Sequence, residues 1–521
     1  MTLLCVPIFV ADAATASRDI ALAAEAGADL IELRIDRLGA SFGMPEVIDL
    51  LKRSTRPCVV TSRAGWEGGE CELPESERLQ HLSGLEDVAH AAYVDIELKA
   101  FHAYPRARGE SDRVSRRILS AHDFKGRPDR LYSVVEEMSA LPAEVNKVAW
   151  MARSIRDNLE AFELLQHRQK PTIALCMGEA GLISRVLAKK FGAFLTFASL
   201  RDESATAPGQ VTIHDMKRLY RWDAIGPSTK VYGVVASPVA HSMSPAVHNA
   251  AFGETGYDGV YLPLLVNPGY ESFKAFMESF VPFEGLDLSG LSVTLPHKEN
   301  ALKYLREKGA EVEPLAQRIG AVNTIAMDRS DRRLPLRGFN TDYAAILDSI
   351  TAKMGISRDG LAELRVAVIG AGGTGRTAVA ALAHYGATVV VYNRTREKAD
   401  ALAEEFNGKV GKVVAANVEK LCDSCCHVFI NTTSVGMHPN VEESPLGERP
   451  PEFTAETVVF DTVYNPMKTK FLQQAEAAGA KTIGGVEMFV RQAAAQFETW
   501  TGTKAPADVM RRVVEQRLQD K

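Results

Sequence analysis

The sequence predicts an α/β protein in which an N-terminal (β/α)8 barrel is followed by a small α/β unit and a Rossmann-like unit. Three observations support this. The 521 residues are enough for roughly three to four domains. About eight short apolar runs alternate with amphipathic stretches in the first part of the chain, which is the pattern of a parallel barrel. Further on, a strand, a glycine-rich turn and a helix follow one another.

The eight strand candidates of the barrel are separated mostly by helix-like segments such as SRDIALAAEAGA. The weakest connection joins the fourth and fifth candidates, where no long helix is evident. A doubly wound sheet is the competing architecture, but the polar residues cluster at many strand ends and not at one switch point, which favours the barrel. The candidates are LLCVPIFV, DLIELRID, PCVVTSR, AYVDIELK, RRILSAHD, EVNKVAWMA, PTIALCMG and GAFLTFAS.

A turn-rich linker, Gly226–Ser228, ends the predicted barrel, and a new strand begins at VYGVVASP. We expect four parts. These are the barrel (1–222), a substrate-binding domain (229–340), a nucleotide-binding domain (341–484) and C-terminal helices that pack back on the substrate domain (485–521).

Composition and charge indicate a soluble globular protein. The chain is 46% hydrophobic and 24% charged with a net charge of −6, which argues against disorder. We see no basic stripe for nucleic acid, no apolar run long enough for a membrane span and no signal peptide. The seven cysteines are too scattered for a disulfide framework, so we expect the cytoplasm.

A short cluster of possible metal ligands stands out, but we predict no metal. A helix end leading into the strand HVFINT explains the cluster better, because no second ligand pair follows at zinc-finger spacing. The cluster consists of Cys422, Cys425, Cys426 and His427.

The barrel strands carry an unusual number of charges. Glu32, Arg34 and Asp36 have the same parity and therefore share one face of their strand. Asp95 and Glu97 do the same on another strand. Barrel interiors are normally filled by branched apolar residues, so inward charges are costly unless they converge on a polar ligand.

Lys147 lies in the middle of the apolar strand AEVNKVAWMA. A single lysine in a strand more often faces solvent, and a single histidine is more often a structural residue. Together with the other charges, however, a lysine among apolar groups and cations would have a lowered pKa and could attack a ketone. His122 would remove a proton from the resulting Schiff base, Glu97 could orient the imidazole, and Arg185 could bind a carboxylate.

These residues resemble type I 3-dehydroquinate dehydratase over nearly all of 1–222. The motifs are ELRID, VDIEL, SAHDF, NKVAWMA, GLISR and ATAPGQ. The resemblance implies that Lys147 forms the Schiff base, that His122 removes the C2 proton and assists loss of water from C1, that Glu97 pairs with His122, and that Arg185 holds the substrate carboxylate. It further implies that ring hydroxyls and loops are held by Glu32, Arg34, Arg63, Thr206 and Gln210. Thr206 stands where the family commonly has serine. A Schiff-base aldolase is the alternative chemistry.

VIGAGGTG contains the G-x-G-x-x-G pattern between a strand and a helix, the context in which backbone N–H groups meet a pyrophosphate. The next strand ends in NRTREK and offers cations where an NAD site would have an acidic residue, so NADP is preferred. The candidate cofactor residues are Gly370, Ala371, Gly372, Gly373, Thr374, Gly375, Asn393, Arg394, Thr395 and Lys398.

Hydroxyl, amide and charged residues in the second half suggest a second substrate site. Ser242 and Ser244 could present both hydroxyls to one ligand oxygen, and Lys298 with Asp342 would suit a proton relay during hydride transfer. Singly, the serines beside prolines are usual in turns, and Lys298 could be a solvated residue at a helix start.

HSMSP, VTLPHK, GAVNT, NTD, GAGGTGR, NRT and VEMFVRQAA resemble shikimate dehydrogenase from Val231 to about Trp500. The resemblance implies that Lys298 and Asp342 form the catalytic pair and that Gly485 lies near the nicotinamide. It implies shikimate contacts from Ser242, Ser244, Thr294, Asn323, Asp342, Tyr464 and Gln492. Tyr343 follows NTD where relatives often have a glycine, so the local loop shape can differ.

The two resemblances imply consecutive reactions, from 3-dehydroquinate through 3-dehydroshikimate to shikimate with NADPH. A quinate dehydrogenase is the alternative for the second half, although Ser242 and Thr294 keep the hydroxyls that favour shikimate. A non-catalytic sensor is less favoured because Lys147, His122, Lys298 and Asp342 are all retained. The sequence leaves the oligomeric state and transfer of 3-dehydroshikimate between sites open.

Overall fold

The computed structural model describes residues 2–38, 42–104, 116–331, 333, 335–408, 410–446 and 451–519, and only the backbone of Cys422 and Asp423. The chain forms two compact units. The first comprises Met1–Pro245 and Asp258–Leu288, and the second comprises Ala246–Tyr257 and Ser289–Lys521. The four-part division expected from the sequence stays a prediction. Within the described ranges, no helix combines the length and the apolar character that a membrane span requires.

The first unit contains the predicted eight-stranded parallel barrel, with strands adjacent in the order β7-β6-β5-β4-β3-β2-β1-β8. Each predicted run contains one strand. The barrel is nearly closed between β7 and β8, where Phe194 N donates to Thr172 O at 2.8 Å. The strands are β1 (Leu3–Phe9), β2 (Leu30–Arg34), β3 (Cys58–Thr61), β4 (Ala91–Glu97), β5 (Arg117–Asp123), β6 (Val145–Met151), β7 (Thr172–Met177) and β8 (Leu195–Phe197).

Six α-helices accompany these strands in the described ranges. Asp12 caps the first by accepting from Thr15 N at 2.8 Å, as expected of an N-cap aspartate. The weak connection between the fourth and fifth strands contains a short 3-10 helix, Leu98–Ala103, and its residues 105–115 lie outside the described ranges. The helices are α1 (Ala13–Glu25), α2 (Met44–Arg53), α3 (Glu75–Leu85), α4 (Leu131–Ala140), α5 (Asp157–Gln166) and α6 (Leu182–Val186).

The first unit continues beyond the barrel. Strands β9 (Lys230–Ala236) and β10 (Gly259–Leu265) pair in parallel. Helix α8 (Tyr270–Phe280) follows β10, whereas helix α7 (Ser244–Thr255), which lies between the two strands in the chain, belongs to the second unit from Ala246 onwards. After α8, the ring of Phe283 packs near the rings of Phe162 and Phe191 from the barrel, at centroid distances of 6.4 and 6.2 Å.

The second unit contains two groups of strands. In the first group, β11 is adjacent to β13, β13 to β14 and β14 to β12, and the β11–β13 and β13–β14 pairs are antiparallel. The elements are β11 (Leu288–Val293), α9 (Lys298–Glu307), β12 (Glu311–Val312), α10 (Pro314–Ile319), β13 (Thr324–Met327), β14 (Leu336–Phe339) and α11 (Thr341–Met354).

The second group is a six-stranded parallel sheet in the order β17-β16-β15-β18-β19-β20. Strand β15, which comes first in the sequence of this sheet, therefore lies in its interior and not at its edge. Its four inner strands are almost entirely buried on both faces, as expected of a parallel sheet covered by helices. The elements are β15 (Arg365–Ile369), α12 (Gly373–His384), β16 (Thr388–Tyr392), α13 (Arg396–Phe406), β17 (Lys412–Ala416), β18 (Val428–Asn431), β19 (Val458–Asp461), α14 (Lys470–Ala477), β20 (Lys481–Ile483), α15 (Gly485–Thr501) and α16 (Ala507–Gln519).

Candidate active sites

A pocket opens among the barrel strands, and most of the charged residues expected there line it. Two aromatic rings, Phe124 and Phe197, and the aliphatic side chains of Leu175 and Met177 complete its wall. Glu97 is absent from the described lining. The sequence-predicted residues that line the pocket are Glu32, Arg34, Arg63, His122, Lys147, Arg185, Thr206 and Gln210.

Lys147 points into the barrel and is only 5% exposed. Its Nζ donates to Asp95 Oδ2 at 2.8 Å and lies 3.6 Å from Glu32 Oε1 and 4.7 Å from the centroid of the Phe197 ring. These four residues come from β6, β4, β2 and β8, so alternate strands build one interior layer, as in (β/α)8 barrels generally. The nearest charged groups of the amine are therefore carboxylates and not the cations expected from the sequence.

Asp95 is the central acceptor of this layer. Burial raises its pKa, but Arg63 and Lys147 outweigh burial and hold the pKa of the carboxyl well below its usual range. Arg63 donates to Asp95 Oδ1 at 2.8 Å and to Ser120 Oγ at 2.7 Å. Since the lysine is held by an ionised carboxylate, binding of a ketone must release Nζ from Asp95 before it can attack.

His122 pairs with Glu67 and not, as expected, with Glu97. Nδ1 of His122 lies 3.0 Å from Glu67 Oε2. Glu97 accepts instead from Arg63 Nη1 at 3.2 Å and Ala64 N at 3.0 Å, and lies 2.9 Å from Arg78 Nη1. The prediction that Glu97 orients the imidazole is thus wrong in this geometry, because two buried arginines already hold this carboxylate.

Glu67 lines the same pocket and contacts His122, and sequence reasoning missed it. It follows β3 in a 3-10 turn, Gly65–Glu67, and Gly68 has a φ of 78°. Side chains alternate between two faces in a strand but not in a turn. The parity argument therefore could not assign Glu67 to the pocket. A usable signal was the sequence EGGE four residues after Arg63, since glycines let a loop fold back over a strand end.

The ionisation of this pair is set by its surroundings. Burial raises the pKa of Glu67 to about 8, although Arg63 opposes the shift. Burial, Arg63 and Lys147 together lower the pKa of His122 well below its usual value. A neutral imidazole at neutral pH is the form in which histidine can accept a proton.

Arg185 is the cation of the pocket that lacks a counter-ion. It is 2% exposed, its Nε has no hydrogen-bond partner, and no carboxylate among the described residues forms an ion pair with it. Burial lowers its pKa to about 10, so it stays charged at neutral pH. A buried unpaired guanidinium is costly, and a bound carboxylate would compensate it.

The remaining residues of the barrel site have protein partners. Arg34 donates to both carboxylate oxygens of Asp36, at 3.0 and 2.6 Å, and Glu32 accepts from a threonine hydroxyl of β3. At the mouth, Gln210 Oε1 accepts from Thr206 N at 2.8 Å and Gln210 Nε2 donates to Thr206 Oγ1 at 3.1 Å. These two hydrogen bonds link Thr206 and Gln210 within one loop beside the pocket.

In the second unit, the predicted pair forms a direct contact. Lys298 Nζ donates to Asp342 Oδ2 at 2.7 Å, and both side chains are partly exposed. Asn340 caps α11 by accepting from Asp342 N at 3.1 Å, which fixes the aspartate at the helix start. Tyr343, expected to alter the local loop, is 7% exposed and its hydroxyl bonds to Glu313.

The other predicted substrate residues of the second unit lie near α9, α11 and α15. Thr341 N donates to Asn323 Oδ1 at 2.8 Å. The carbonyl oxygen of Thr294 accepts from the backbone N–H of His297, the residue that precedes α9. The ring of Tyr464 is 36% exposed and packs 5.6 Å from the Phe489 ring. Gln492 donates to Phe489 O on the same helix.

Ser242 and Ser244 lie in the first unit, where Ser242 Oγ accepts from Ser244 N at 3.3 Å. Both side chains are only partly buried. Their predicted shared contact with one ligand oxygen stays a prediction.

The glycine-rich turn after β15 has the geometry of a phosphate cradle. A Cβ at Gly375 would lie 2.1 Å from Gly370 O, so this glycine permits close packing of α12 on β15. A Cβ at Gly372 or Gly373 would meet nothing within 4 Å, which leaves their backbone open to a ligand. Asn393 Oδ1 accepts from Ala371 N at 3.1 Å, so this side chain braces the turn. A dinucleotide pyrophosphate fits such a turn.

The other expected cofactor residues differ in exposure and packing. Arg394, Thr395 and Lys398 are exposed after β16, and Thr374 lies in the first turn of α12. Close packing requires a glycine at position 485, because a Cβ at Gly485 would lie only 2.4 Å from Val463 O.

Among the described side chains, no group of three histidine, cysteine, aspartate or glutamate residues is arranged to hold a metal. Cys425 and Cys426 are free thiols, and the side chain of Cys422 lies outside the described residues.

Four family models match successive segments of the chain. They are Type I 3-dehydroquinase (residues 4–227), Shikimate dehydrogenase substrate binding domain (234–325), Shikimate / quinate 5-dehydrogenase (352–462) and Shikimate 5'-dehydrogenase C-terminal domain (485–515). A bifunctional 3-dehydroquinate dehydratase/shikimate dehydrogenase of Arabidopsis thaliana, described as chloroplastic, is 38% identical over 520 residues, which are 98% of this chain and 83% of the relative. The chain belongs to this bifunctional family.

Two further relatives illustrate the match. An NADP(+) shikimate dehydrogenase of Methanosarcina acetivorans is 37% identical over 56% of this chain and 99% of its own length. The solved structure of a dehydroquinate dehydratase and shikimate dehydrogenase from S. pombe covers 99% of this chain and 98% of its own, with 25% identity and a TM-score of 0.44. Membership of the family accounts for both halves of the sequence pattern.

Proposed function

We propose that the chain catalyses two consecutive reactions, the dehydration of 3-dehydroquinate to 3-dehydroshikimate and the NADPH-dependent reduction of 3-dehydroshikimate to shikimate. One observation carries the proposal: a buried lysine, a neutral histidine and a buried arginine without a counter-ion line one pocket. Support for the second reaction comes from the Lys298–Asp342 contact and the open glycine-rich turn.

In the dehydration, the Arg185 guanidinium binds the substrate carboxylate and places the ketone beside Lys147. Nζ leaves Asp95, passes a proton to the neutral imidazole of His122 and attacks the carbonyl carbon, and the imidazolium returns that proton to the departing hydroxyl, so that water leaves as the protonated imine forms. The protonated imine withdraws electrons, so His122 can remove the C2 proton. The protonated imidazole then assists loss of the C1 hydroxyl as water, and hydrolysis of the imine returns the lysine.

In the reduction, NADPH would supply the hydride when bound. The residues that would hold it are the Gly370–Gly375 turn and the exposed Arg394 and Lys398, which suit a 2′-phosphate. Lys298 donates a proton to the carbonyl oxygen, and Asp342 orients the lysine and stabilises its ammonium form before the transfer. The hydroxyls at Ser242 and Thr294 favour shikimate over quinate as the product bound.

The Lys147 assignment is tested by trapping. Borohydride added with 3-dehydroquinate should reduce the imine and leave a stable adduct on the peptide that contains Lys147, which mass spectrometry locates. Lys147→Ala should lose the adduct and reduce dehydration by orders of magnitude, while NADP-dependent shikimate oxidation stays near normal. An adduct on another lysine, or dehydration that survives the substitution, would reject the assignment.

A converse variant tests the second reaction. Lys298→Ala should reduce shikimate oxidation by about 10²-fold or more and leave dehydration near normal. The same assay run on quinate distinguishes a shikimate dehydrogenase from a quinate dehydrogenase. We expect turnover on shikimate to exceed turnover on quinate.

We also infer a reducing compartment, the cytoplasm, from the six described cysteines, all of which are free thiols. Fractionation of the source cells tests this inference, and recovery of the protein in an organelle would contradict it.

A further inference from the structure

A second pocket, separate from the residues assigned to catalysis, lies in the second unit between the C-terminal part of α11, the start of α15 and α16. Its volume of about 350 Å³ lies within the range of small-molecule sites. Ser349 and Lys353 lie about two and three helical turns beyond Asp342 on α11. The lining residues are Ser349, Ala352, Lys353, Thr482, Ile483, Gly484, Val486, Glu487, Arg491 and Arg511.

The charge of this pocket is unbalanced. Three cations, Lys353, Arg491 and Arg511, face one carboxylate, Glu487. The two oxygens of Glu487 are divided between the arginines, with Oε1 accepting from Arg491 Nε at 2.5 Å and Oε2 from Arg511 Nη2. Each guanidinium has further N–H donors, and neither has a second acceptor among the described residues. Lys353 has no hydrogen-bonded or ion-paired partner among the described residues, although the Glu476 carboxylate, outside the lining, interacts with it electrostatically.

A buried hydroxyl residue also lines the pocket. Ser349 is 3% exposed, and its Oγ has no hydrogen-bond partner among the described residues, although buried hydroxyls normally have one. The pocket also borders Gly484 and Val486 at the first turn of α15, where the helix dipole favours an anion. Ile483, Val486 and Ala352 provide apolar surface beside these polar groups.

We infer that this pocket is a binding site for a small organic anion, one with a single carboxylate or phosphate group on a body no larger than an aromatic ring. The oxyanion accepts from Arg491, Arg511 and Lys353, while the body contacts Ile483 and Val486. Two arginines presented as planar forks suit carboxylate and phosphate equally.

Calorimetric titration of the full chain with 4-hydroxybenzoate, phenyl phosphate and inorganic phosphate, at constant ionic strength set with chloride, tests the site. Saturable binding of an organic anion is expected, and Arg511→Met combined with Lys353→Met should weaken it at least tenfold. Arg512→Met changes an exposed cation on the same helix that is outside the pocket and should bind as the unmodified chain does.

An Arg185→Met variant separates this site from the barrel, where carboxylates are also expected. Binding that persists in Arg185→Met and is lost in the double variant supports the inference. Binding that is lost in Arg185→Met, that is unchanged in the double variant, or that does not saturate would overturn it. The outcome does not depend on either proposed activity, because a calorimeter reads binding without turnover.

Discussion

At the residue scale, the Glu67–His122 pair sets the pH dependence of dehydration. Burial raises the pKa of Glu67 to about 8, and the pKa of His122 lies well below its usual value, so the imidazole is neutral throughout the working range. As pH rises through about 8, Glu67 ionises and its carboxylate accepts from Nδ1–H, which leaves Nε2 as the basic nitrogen. Dehydratase kcat/KM should therefore rise to a plateau above about pH 8.

Replacing Glu67 by glutamine should remove this rise and lower kcat/KM by about 10²-fold. Glu72→Gln, which changes an exposed carboxylate of the same loop, serves as the control and should retain the profile. An unchanged profile in Glu67→Gln would show that another group titrates.

The same carboxyl links stability to pH. Its folded pKa of about 8 exceeds the ordinary value of 4.5, so the folded state binds the proton more tightly than the unfolded state. The stability that this proton contributes is complete below about pH 4.5 and is lost as pH rises through 8. Between pH 5 and 9, the unfolding free energy of Glu67→Gln should gain on the order of 1–3 kcal/mol relative to the unmodified chain. Urea unfolding at both pH values measures this, and parallel behaviour of the two proteins would contradict it.

At the scale of elements, the contact of α15 with the loop after β19 should control the dehydrogenase. A Cβ at Gly485 would lie 2.4 Å from Val463 O, whereas one at Gly484 has 3.5 Å to its nearest neighbour. Gly485→Ala must therefore shift α15 or the loop that leads to Tyr464. We expect shikimate oxidation to fall at least tenfold, with dehydration unchanged. Gly484→Ala should be tolerated in both assays, and equal effects of the two substitutions would exclude the close approach as the cause.

The strands of the barrel were predictable because each is a buried run that ends in polar residues, and parity grouped Glu32 with Arg34 and Asp95 with Glu97. Parity could not tell which carboxylate reaches the lysine. In the strand register, Lys147 on β6 pairs with Ser120 on β5, and Ser120 pairs with Glu97 on β4. Yet Lys147 contacts Asp95, two residues earlier on β4, because barrel strands are tilted and residues level in the ladder are not level along the axis. Closure geometry of this kind has no local sequence signal.

At the scale of the whole molecule, the first compact unit does not end at the linker predicted from Gly226–Ser228. Lys190 donates to the carbonyl oxygens of Pro227 and Thr229, both at 2.8 Å, and Thr229 Oγ1 donates to Asp258 at 2.7 Å. Composition marks these residues only as a turn, since the contacts that fix them come from positions distant in the chain. The linker is held in place, and the segment after it belongs to the same unit as the barrel.

This arrangement predicts that a residue remote from the barrel in sequence stabilises the dehydratase. Phe283 packs against Phe162 and Phe191, and these two rings are themselves stacked at 4.0 Å. Phe283→Ala removes apolar contact from a partly buried position and should cost about 1–3 kcal/mol, less than a fully buried phenylalanine. The temperature at which half of the dehydratase activity is lost should then fall by about 2–8 °C. Glu284→Gln, at the exposed neighbouring position, should leave this temperature unchanged. If Phe283→Ala behaves like Glu284→Gln, the residues after the linker do not support the barrel, and the dehydratase is stable without them.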